Sequence, residues 1–174
     1  MKLRNVFGGL IVAVLLQSGV RADSAEARLH DLGLTLPKAA SPVANYVPVV
    51  RSGELLFLAG HIPRDENGEF MTGKVGSAVS IEEGQLAARH TALALLATLR
   101  QELGSLDRVK RIVRVEGFVN CGPDFTNQSQ VINGCSDLLI EIFGDAGRHA
   151  RMAIGAGSLP LDVSVEIAMI VEVK

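Results

Sequence analysis

The chain has 174 residues, a formal net charge of -2 and an apolar fraction of 48%. That length suits one domain with enough apolar side chains to form a core. Proteins that hold nucleic acids by the phosphates present a basic surface, often with aromatic side chains for base stacking. This chain has no Trp and a single Tyr, so its composition excludes such a surface.

Residues 1–22 have the composition of a secretory signal. Met1–Asn5 is basic, and the 15 residues Val6–Val20 carry no charge, which is short of the roughly 20 apolar residues that span a bilayer. Small residues then lead to a cleavage position after Ala22. We expect a mature domain over 23–174, a periplasmic or secreted location, and no membrane attachment after cleavage. An uncleaved anchor or a buried helix is the alternative.

Hydrophobic periodicity predicts a series of helices and strands after this segment. The predicted elements are a short helix over Ser24–Leu32, strands over Asn45–Val50 and Leu55–Ala59, a helix over Ser80–Leu103, a strand over Val109–Val119, a helix from Asn127 to Phe143, and strands over Arg151–Ala156 and Val163–Val173. Ser80 and Glu83 have the spacing of a capping box. Gly104 and Gly144 follow the two long helices as stop residues.

The order β-β-α-β-α-β-β predicts an α+β fold with a mixed sheet and two helices on one face. The last strand alternates strictly, and its second face carries the small or apolar residues Ala168 and Ile170. Two helices cannot cover both faces of the sheet. We therefore expect the other face to pack against another subunit.

If the chain is exported, Cys121 and Cys135 would be in an oxidising compartment, where a disulfide between them could form. The alternative is two separate, partly buried thiols, and only geometry decides between them. Neither cysteine has the spacing of a metal site, and we expect no metal and no cofactor.

Three segments of the chain, in order, form a recognisable pattern. They are Asn45–Val47 with Leu55–Pro63, the passage Gly104–Phe125, and a C-terminal group of Ala150-Arg151, Leu159-Pro160 and Val165-Glu166-Ile167. Each segment alone is weak evidence, but the three in order, with Glu166 15 residues after Arg151, are strong. Over about residues 44–173 the chain resembles the RidA/YjgF family, also called endoribonuclease L-PSP-like.

This resemblance implies a chorismate-mutase-like fold assembled as a homotrimer with clefts between subunits. In the family's deaminases the arginine matching Arg151 binds the carboxylate of a 2-imino acid, and a guanidinium fork suits a carboxylate. The glutamate matching Glu166 helps to place the water that attacks the imine carbon. Tyr46 matches an aromatic residue of the cleft. The resemblance thus implies catalytic roles for Arg151, Glu166 and Tyr46.

Other positions depart from the family pattern and indicate a divergent branch. His61 replaces the usual Gln at a strand end, Ala153 replaces the cysteine of many deaminases, and His149 lies two residues before Arg151. We take Arg151, Ala153, His61 and His149 as candidate substrate-binding residues. By pattern alone Arg151 would be a surface ion-pair residue, and each histidine a satisfied polar residue.

Two functions compete at this point. The first is hydrolytic deamination of 2-imino acids or enamines, with a small carboxylate or imine as ligand. The second is a trimer that binds small metabolites without turnover. Ribonuclease activity is disfavoured because the chain is acidic and lacks a basic, aromatic surface.

Overall fold

The computed structural model describes residues 24–39 and 45–174. The predicted signal segment, residues 1–22, lies outside the described residues. The elements in chain order are α1 (Ala25–Asp31), β1 (Val49–Ser52), β2 (Leu55–His61), α2 (Ile81–Leu103), β3 (Val109–Asn120), α3 (Gln128–Phe143), β4 (Ala150–Ala156) and β5 (Val165–Val173). This order confirms the predicted α+β fold class.

Two strands begin later than their sequence patterns predict. β1 begins at Val49, because residues 45, 46 and 48 are bends and Pro48 has no N–H to donate to a ladder. β5 begins at Val165, because Val163 forms only an isolated bridge with Thr72. Tyr46 therefore lies in the irregular segment before β1, not in a strand.

The five strands form one sheet in the order β1-β2-β5-β3-β4. All neighbouring pairs are antiparallel except β3 and β4, which are parallel. A parallel pair requires a crossover connection, and α3 supplies it. The sheet is thus mixed, with β1 and β4 as its two edges.

Helices α2 and α3 cover one face of the sheet and form the core with it. The buried side chains include alternate residues of β5, which confirms the predicted alternation. They are Val165, Ile167, Met169, Val171 and Val173 from β5; Ile112, Val115 and Val119 from β3; Leu95, Leu96 and Leu99 from α2; and Leu138, Leu139 and Ile142 from α3.

The two ends of α2 have the predicted signals. The Ser80 hydroxyl accepts from the Glu83 N–H at 3.1 Å, and the Glu83 carboxylate accepts from the Ser80 N–H at 2.8 Å. Gly104 ends the helix with φ of 78°, a left-handed conformation that favours glycine. Sequence and local structure agree over all of α2.

Two glycines determine how closely α3 packs. A Cβ at Gly134 would overlap the backbone carbonyl oxygen of Gln85 on α2, and one at Gly117 of β3 would press on Ile132. There is no space for a methyl group beside the Gln85 backbone or the Ile132 side chain. Helix α3 can therefore lie against both α2 and the sheet, and this contact sets the height of its side chains above β4.

The second face of the sheet has no helix over it in the described part of the chain. Phe57 and Ile154 are 41% and 42% exposed there, and Phe118 and Ile170 are half-buried. We call this the open face. None of the described helices is long and apolar enough to cross a membrane.

Cys121 and Cys135 are both buried and both free thiols. Burial raises the pKa of the Cys135 thiol to about 12, although the charge of Arg151 acts in the opposite direction. The structure therefore has two separate thiols and not a disulfide between Cys121 and Cys135.

We predict that Gly134→Ala destabilises the protein by about 1–3 kcal/mol, since overpacking a tight contact costs that much. Alanine is the better helix former, so a loss of stability would isolate the packing effect. The measurement is chemical denaturation beside Gly122→Ala, where a Cβ meets nothing within 4 Å. A Gly134→Ala protein as stable as wild type would show that α3 can move away from α2.

Candidate functional site

Arg151 is the second residue of the edge strand β4 and points toward α3. It pairs with Val115 of β3, whose side chain is buried under the helices, and paired residues of neighbouring strands share a face. The Nη1 atom of Arg151 donates to Asn133 Oδ1 at 2.9 Å and to Ser136 Oγ at 3.0 Å. Both hydrogens of Nη1 thus have acceptors on α3.

The other edge of the same guanidinium, formed by Nε and Nη2, donates no hydrogen bond to the described residues. Arg151 is exposed, and no carboxylate in the described part of the chain lies within ion-pair distance of it. It is therefore not the surface ion-pair residue that its position alone would suggest. A fixed guanidinium with one open edge matches the two oxygens of a carboxylate.

His149 joins this group through Ser136. Its Nδ1 lies 2.6 Å from the Gly147 carbonyl oxygen, which can only accept, so Nδ1 carries the hydrogen. Its Nε2 lies 3.0 Å from Ser136 Oγ and accepts from the hydroxyl. We call Asn133, Ser136, His149 and Arg151 the Arg151 cluster.

The pKa of His149 is lower than usual, and its ring is neutral at pH 7. Burial is the main cause, and the positive charge of Arg151 adds to it, whereas the bond to the Gly147 carbonyl acts in the opposite direction. A neutral ring agrees with the acceptor role of Nε2. The electrostatics and the hydrogen-bond geometry therefore support the same tautomer.

Glu166 lies on the opposite face of the sheet from Arg151. Phe118 of β3 pairs with Ile154 on one side and with Glu166 on the other, so these three share the open face. Arg151 is three residues before Ile154 and faces the other way. Strand spacing and rise place the two Cα atoms about 10 Å apart across the sheet and about 10 Å apart along it.

The carboxylate of Glu166 lies over Gly60 of β2, where a Cβ would overlap Glu166 Oε1. Only glycine leaves space for the carboxylate here. Partial burial raises the pKa of Glu166, because removal from water disfavours the charged form. A carboxylate with a raised pKa is a stronger proton acceptor than an ordinary surface glutamate.

Tyr46 is also distant from Arg151 within one chain. It is 50% exposed and precedes β1, at one edge of the sheet, while β4 forms the other edge. Four strand spacings of about 4.8 Å separate the two edges. A single chain therefore does not bring Tyr46 and Arg151 into one cleft.

The remaining candidates have different surroundings. Ala153 is on the same face as Arg151, two residues along β4, and is partly covered by the core. His61 is buried under α2, with Nδ1 donating to the Ala59 carbonyl at 2.8 Å and Nε2 accepting from Thr98 Oγ1 at 2.8 Å. Both ring nitrogens of His61 thus have partners inside the chain, and burial lowers its pKa.

No group of three His, Cys, Asp or Glu side chains that could hold a metal ion occurs among the described residues. The chemistry of the Arg151 cluster is that of hydrogen bonding and one fixed positive charge. Such a group can bind and orient a small anion.

Comparison with known proteins agrees with this architecture. A sequence model of the YjgF/chorismate-mutase-like endoribonuclease family matches residues 26–173. The chain belongs to this family. The resemblance to RidA/YjgF proteins inferred from sequence is thereby confirmed.

Three relatives show how far the similarity extends. Protein TCP17 of Trypanosoma cruzi is 45% identical over 158 residues, which cover 90% of this chain and 99% of TCP17. The crystal structure of Atu1372 from Agrobacterium tumefaciens, a protein of unknown function, is 43% identical with a TM-score of 0.80, and covers 86% of this chain and 92% of its own. A crystal structure from Shewanella oneidensis is 35% identical with a TM-score of 0.83, over 87% and 100% of the two chains.

In this YjgF-family chain, sequence reasoning missed Asn133 and Ser136 as members of the site. They lie three residues apart on α3, and residues at that spacing are neighbours on a helix face. Ser136 is buried directly beside Cys135 in the apolar stripe. The available signal was this pair of polar residues beside the buried apolar stripe of α3. The signal does not show that the pair faces Arg151 on β4.

We predict that Arg151→Gln raises the pKa of His149, because it removes a positive charge that disfavours imidazolium. The pKa should stay below its usual value, since burial remains. An NMR titration of the imidazole measures it. Arg148→Gln is the matched control, because Arg148 is exposed and pairs with Asp145. An equal shift in both variants, or none in either, would contradict the coupling between Arg151 and His149.

Proposed function

We propose that this YjgF-family protein binds small 2-imino and 2-oxo acids at Arg151 and hydrolyses the 2-imino acids. The supporting observation is the guanidinium of Arg151. Two acceptors on α3 hold its Nη1 atom, and its Nε/Nη2 edge is open in the described part of the chain. That edge would bind the substrate carboxylate through two parallel hydrogen bonds.

Hydrolysis adds the oxygen of one water to the imine carbon, and the water's proton passes to a base. The nitrogen accepts this proton from the base and a second proton from the new hydroxyl group. The C–N bond then breaks, ammonia leaves, and a 2-oxo acid remains. We assign the base to Glu166, whose raised pKa suits it to accept a proton. Tyr46 would contribute its phenol to orientation or proton transfer.

These roles require more than one chain at each cleft, and we propose a homotrimer. Within one chain, Arg151 and Glu166 lie on opposite faces of the sheet, and Tyr46 lies near the opposite edge from Arg151. The open face, with Phe57 and Ile154 exposed, offers an apolar surface for a neighbouring subunit. Packing of subunits by this face would bring Glu166 of one chain toward an interface.

The second candidate function is capture of small carboxylates without turnover. The separation of Glu166 from Arg151 in the single chain favours it, because binding needs only the Arg151 cluster whereas hydrolysis also needs a base. Turnover of a 2-imino acid separates the two candidates.

We also propose that the protein is exported and that residues 1–22 are removed, on the basis of the signal pattern at the N-terminus. Sequencing the N-terminus of the exported protein would return Asp23, whereas an intact Met1 would contradict the proposal.

We predict that light scattering gives the mass of a trimer and that Ile154→Glu shifts it toward monomer. The substituted carboxylate would be buried without a partner at an interface formed by the open face, which is strongly unfavourable. Leu86→Glu is the control, because Leu86 is 48% exposed on α2, on the other side of the molecule. A monomeric wild-type protein would exclude shared clefts.

We predict that Arg151→Ala weakens pyruvate binding about 10- to 150-fold, since hydrogen bonds to a charged group contribute about 1.5–3 kcal/mol. Arg151→Lys should restore only part of the affinity, because an ammonium lacks the planar fork. Glu166→Gln should keep the affinity and lose turnover, because it removes the base and preserves the shape. Calorimetry with pyruvate and ammonia release from freshly generated 2-iminopropanoate measure the two properties.

The matched control for Arg151 is Arg148→Ala, which removes an exposed arginine from the adjoining segment and should change neither property. Normal pyruvate binding by a folded Arg151→Ala protein would refute the binding site. Normal turnover by Glu166→Gln would refute the assigned base. Pyruvate binding by wild type without ammonia release would establish the non-catalytic alternative.

A further inference from the structure

The Arg151 cluster contains a hydrogen bond that carboxylate binding by Arg151 does not itself require, the one between Ser136 and His149. Arg151 contacts Ser136, and Ser136 contacts His149, but within the described part of the chain the His149 ring makes no hydrogen bond to Arg151 itself. A histidine two contacts removed from the open guanidinium edge is poorly placed to touch the same ligand group. Its effect on that edge would pass through the serine.

A serine hydroxyl has one hydrogen and two lone pairs, so its role depends on where the hydrogen points. In a helix the usual alternative is donation to a carbonyl one turn earlier. At Ser136 the hydrogen points instead to His149 Nε2, which is obliged to accept because Nδ1 donates to Gly147. The lone pairs of Oγ then remain for the Nη1 hydrogen of Arg151.

We propose that His149 is a positioning residue for Arg151, acting through the hydroxyl of Ser136 to keep the Nε/Nη2 edge turned outward for a carboxylate. The relay has a fixed direction. The Gly147 carbonyl sets the His149 tautomer, the tautomer orients the Ser136 hydroxyl, and the hydroxyl oxygen accepts from Arg151. The inference rests on the proposed binding of carboxylates at Arg151.

The burial of the cluster supports the relay. Ser136 is 8% exposed and His149 is half-buried, whereas Arg151 is exposed. A hydrogen bond that is shielded from water keeps its direction better than one on the surface. Asn133 holds the second hydrogen of Nη1 independently, so loss of the relay would loosen the guanidinium rather than release it.

The test is calorimetry with pyruvate on four variants. Ser136→Ala and His149→Ala should each weaken binding about three- to tenfold, the effect of one ordinary hydrogen bond. The double variant should bind no more weakly than Ser136→Ala alone, because the two residues act in series. His149→Gln should recover part of the affinity, since its amide oxygen can accept from the Ser136 hydroxyl.

Two controls separate positioning from general damage. Ser129→Ala changes an exposed serine of α3, and His30→Ala changes an exposed histidine of α1; both should bind pyruvate like wild type. Nitrogen NMR of wild-type His149 at pH 7 should show the Nδ1–H tautomer, which requires no variant to fold. The Nε2–H tautomer would overturn the relay, because Ser136 could not then donate to that nitrogen.

The possible failures are distinguishable. Wild-type protein that does not bind pyruvate would refute the proposed function and this inference with it. Pyruvate binding that depends on Arg151 but is unchanged in His149→Ala would refute only the relay. Additive losses in the double variant would show that His149 acts on the ligand directly, and would also overturn it.

Discussion

Arg151 donates two hydrogen bonds to acceptors on α3, and the candidate site depends on them because they hold the guanidinium in place. They form because α3 lies close to the edge strand β4, and α3 can lie there because Gly134 has no side chain to meet α2. Asn133 and Ser136 flank this glycine contact. Packing at the centre of the helix layer therefore determines the direction of one charged group at the edge of the sheet.

The alternation of side chains in a strand imposes the second constraint. Arg151 and Glu166 belong to strands separated by β3, and an odd offset along β4 places their side chains on opposite faces. Two strand spacings and the thickness of the sheet separate the two side chains within one chain. In the proposed function, chemistry that needs both residues would require a second subunit, whereas anion binding alone does not need Glu166.

His61 and His149 show how similar local geometry can serve different purposes. Each donates from Nδ1 to a backbone carbonyl two residues earlier, and each accepts at Nε2 from a helix hydroxyl, Thr98 or Ser136. The hydroxyl beside His61 is buried in the core. The one beside His149 continues to Arg151, so only His149 connects with an exposed charge.

The sequence by itself determined the order of elements, the ends of α2, the alternation of β5 and the family, because each depends on residues near one another in the chain. Periodicity reports which side of a strand or helix is buried, and Ser80, Glu83 and Gly104 act within one or two turns. It also singled out Arg151 and Glu166, through the resemblance to the family and the spacing of 15 positions from one to the other. It misplaced the start of β1, where bends around Pro48 delay the ladder.

Only the tertiary structure decided which side chains meet. Asn133 and Ser136 precede Arg151 by 18 and 15 residues, and their contact with it depends on the distance between α3 and β4. The same holds for His61 and His149. The sequence pattern made both candidate substrate-binding residues, whereas packing places His61 against Thr98 in the core and His149 against Ser136 near Arg151. Contacts between distant segments depend on the shape of the whole core, and no local pattern of residues contains that shape.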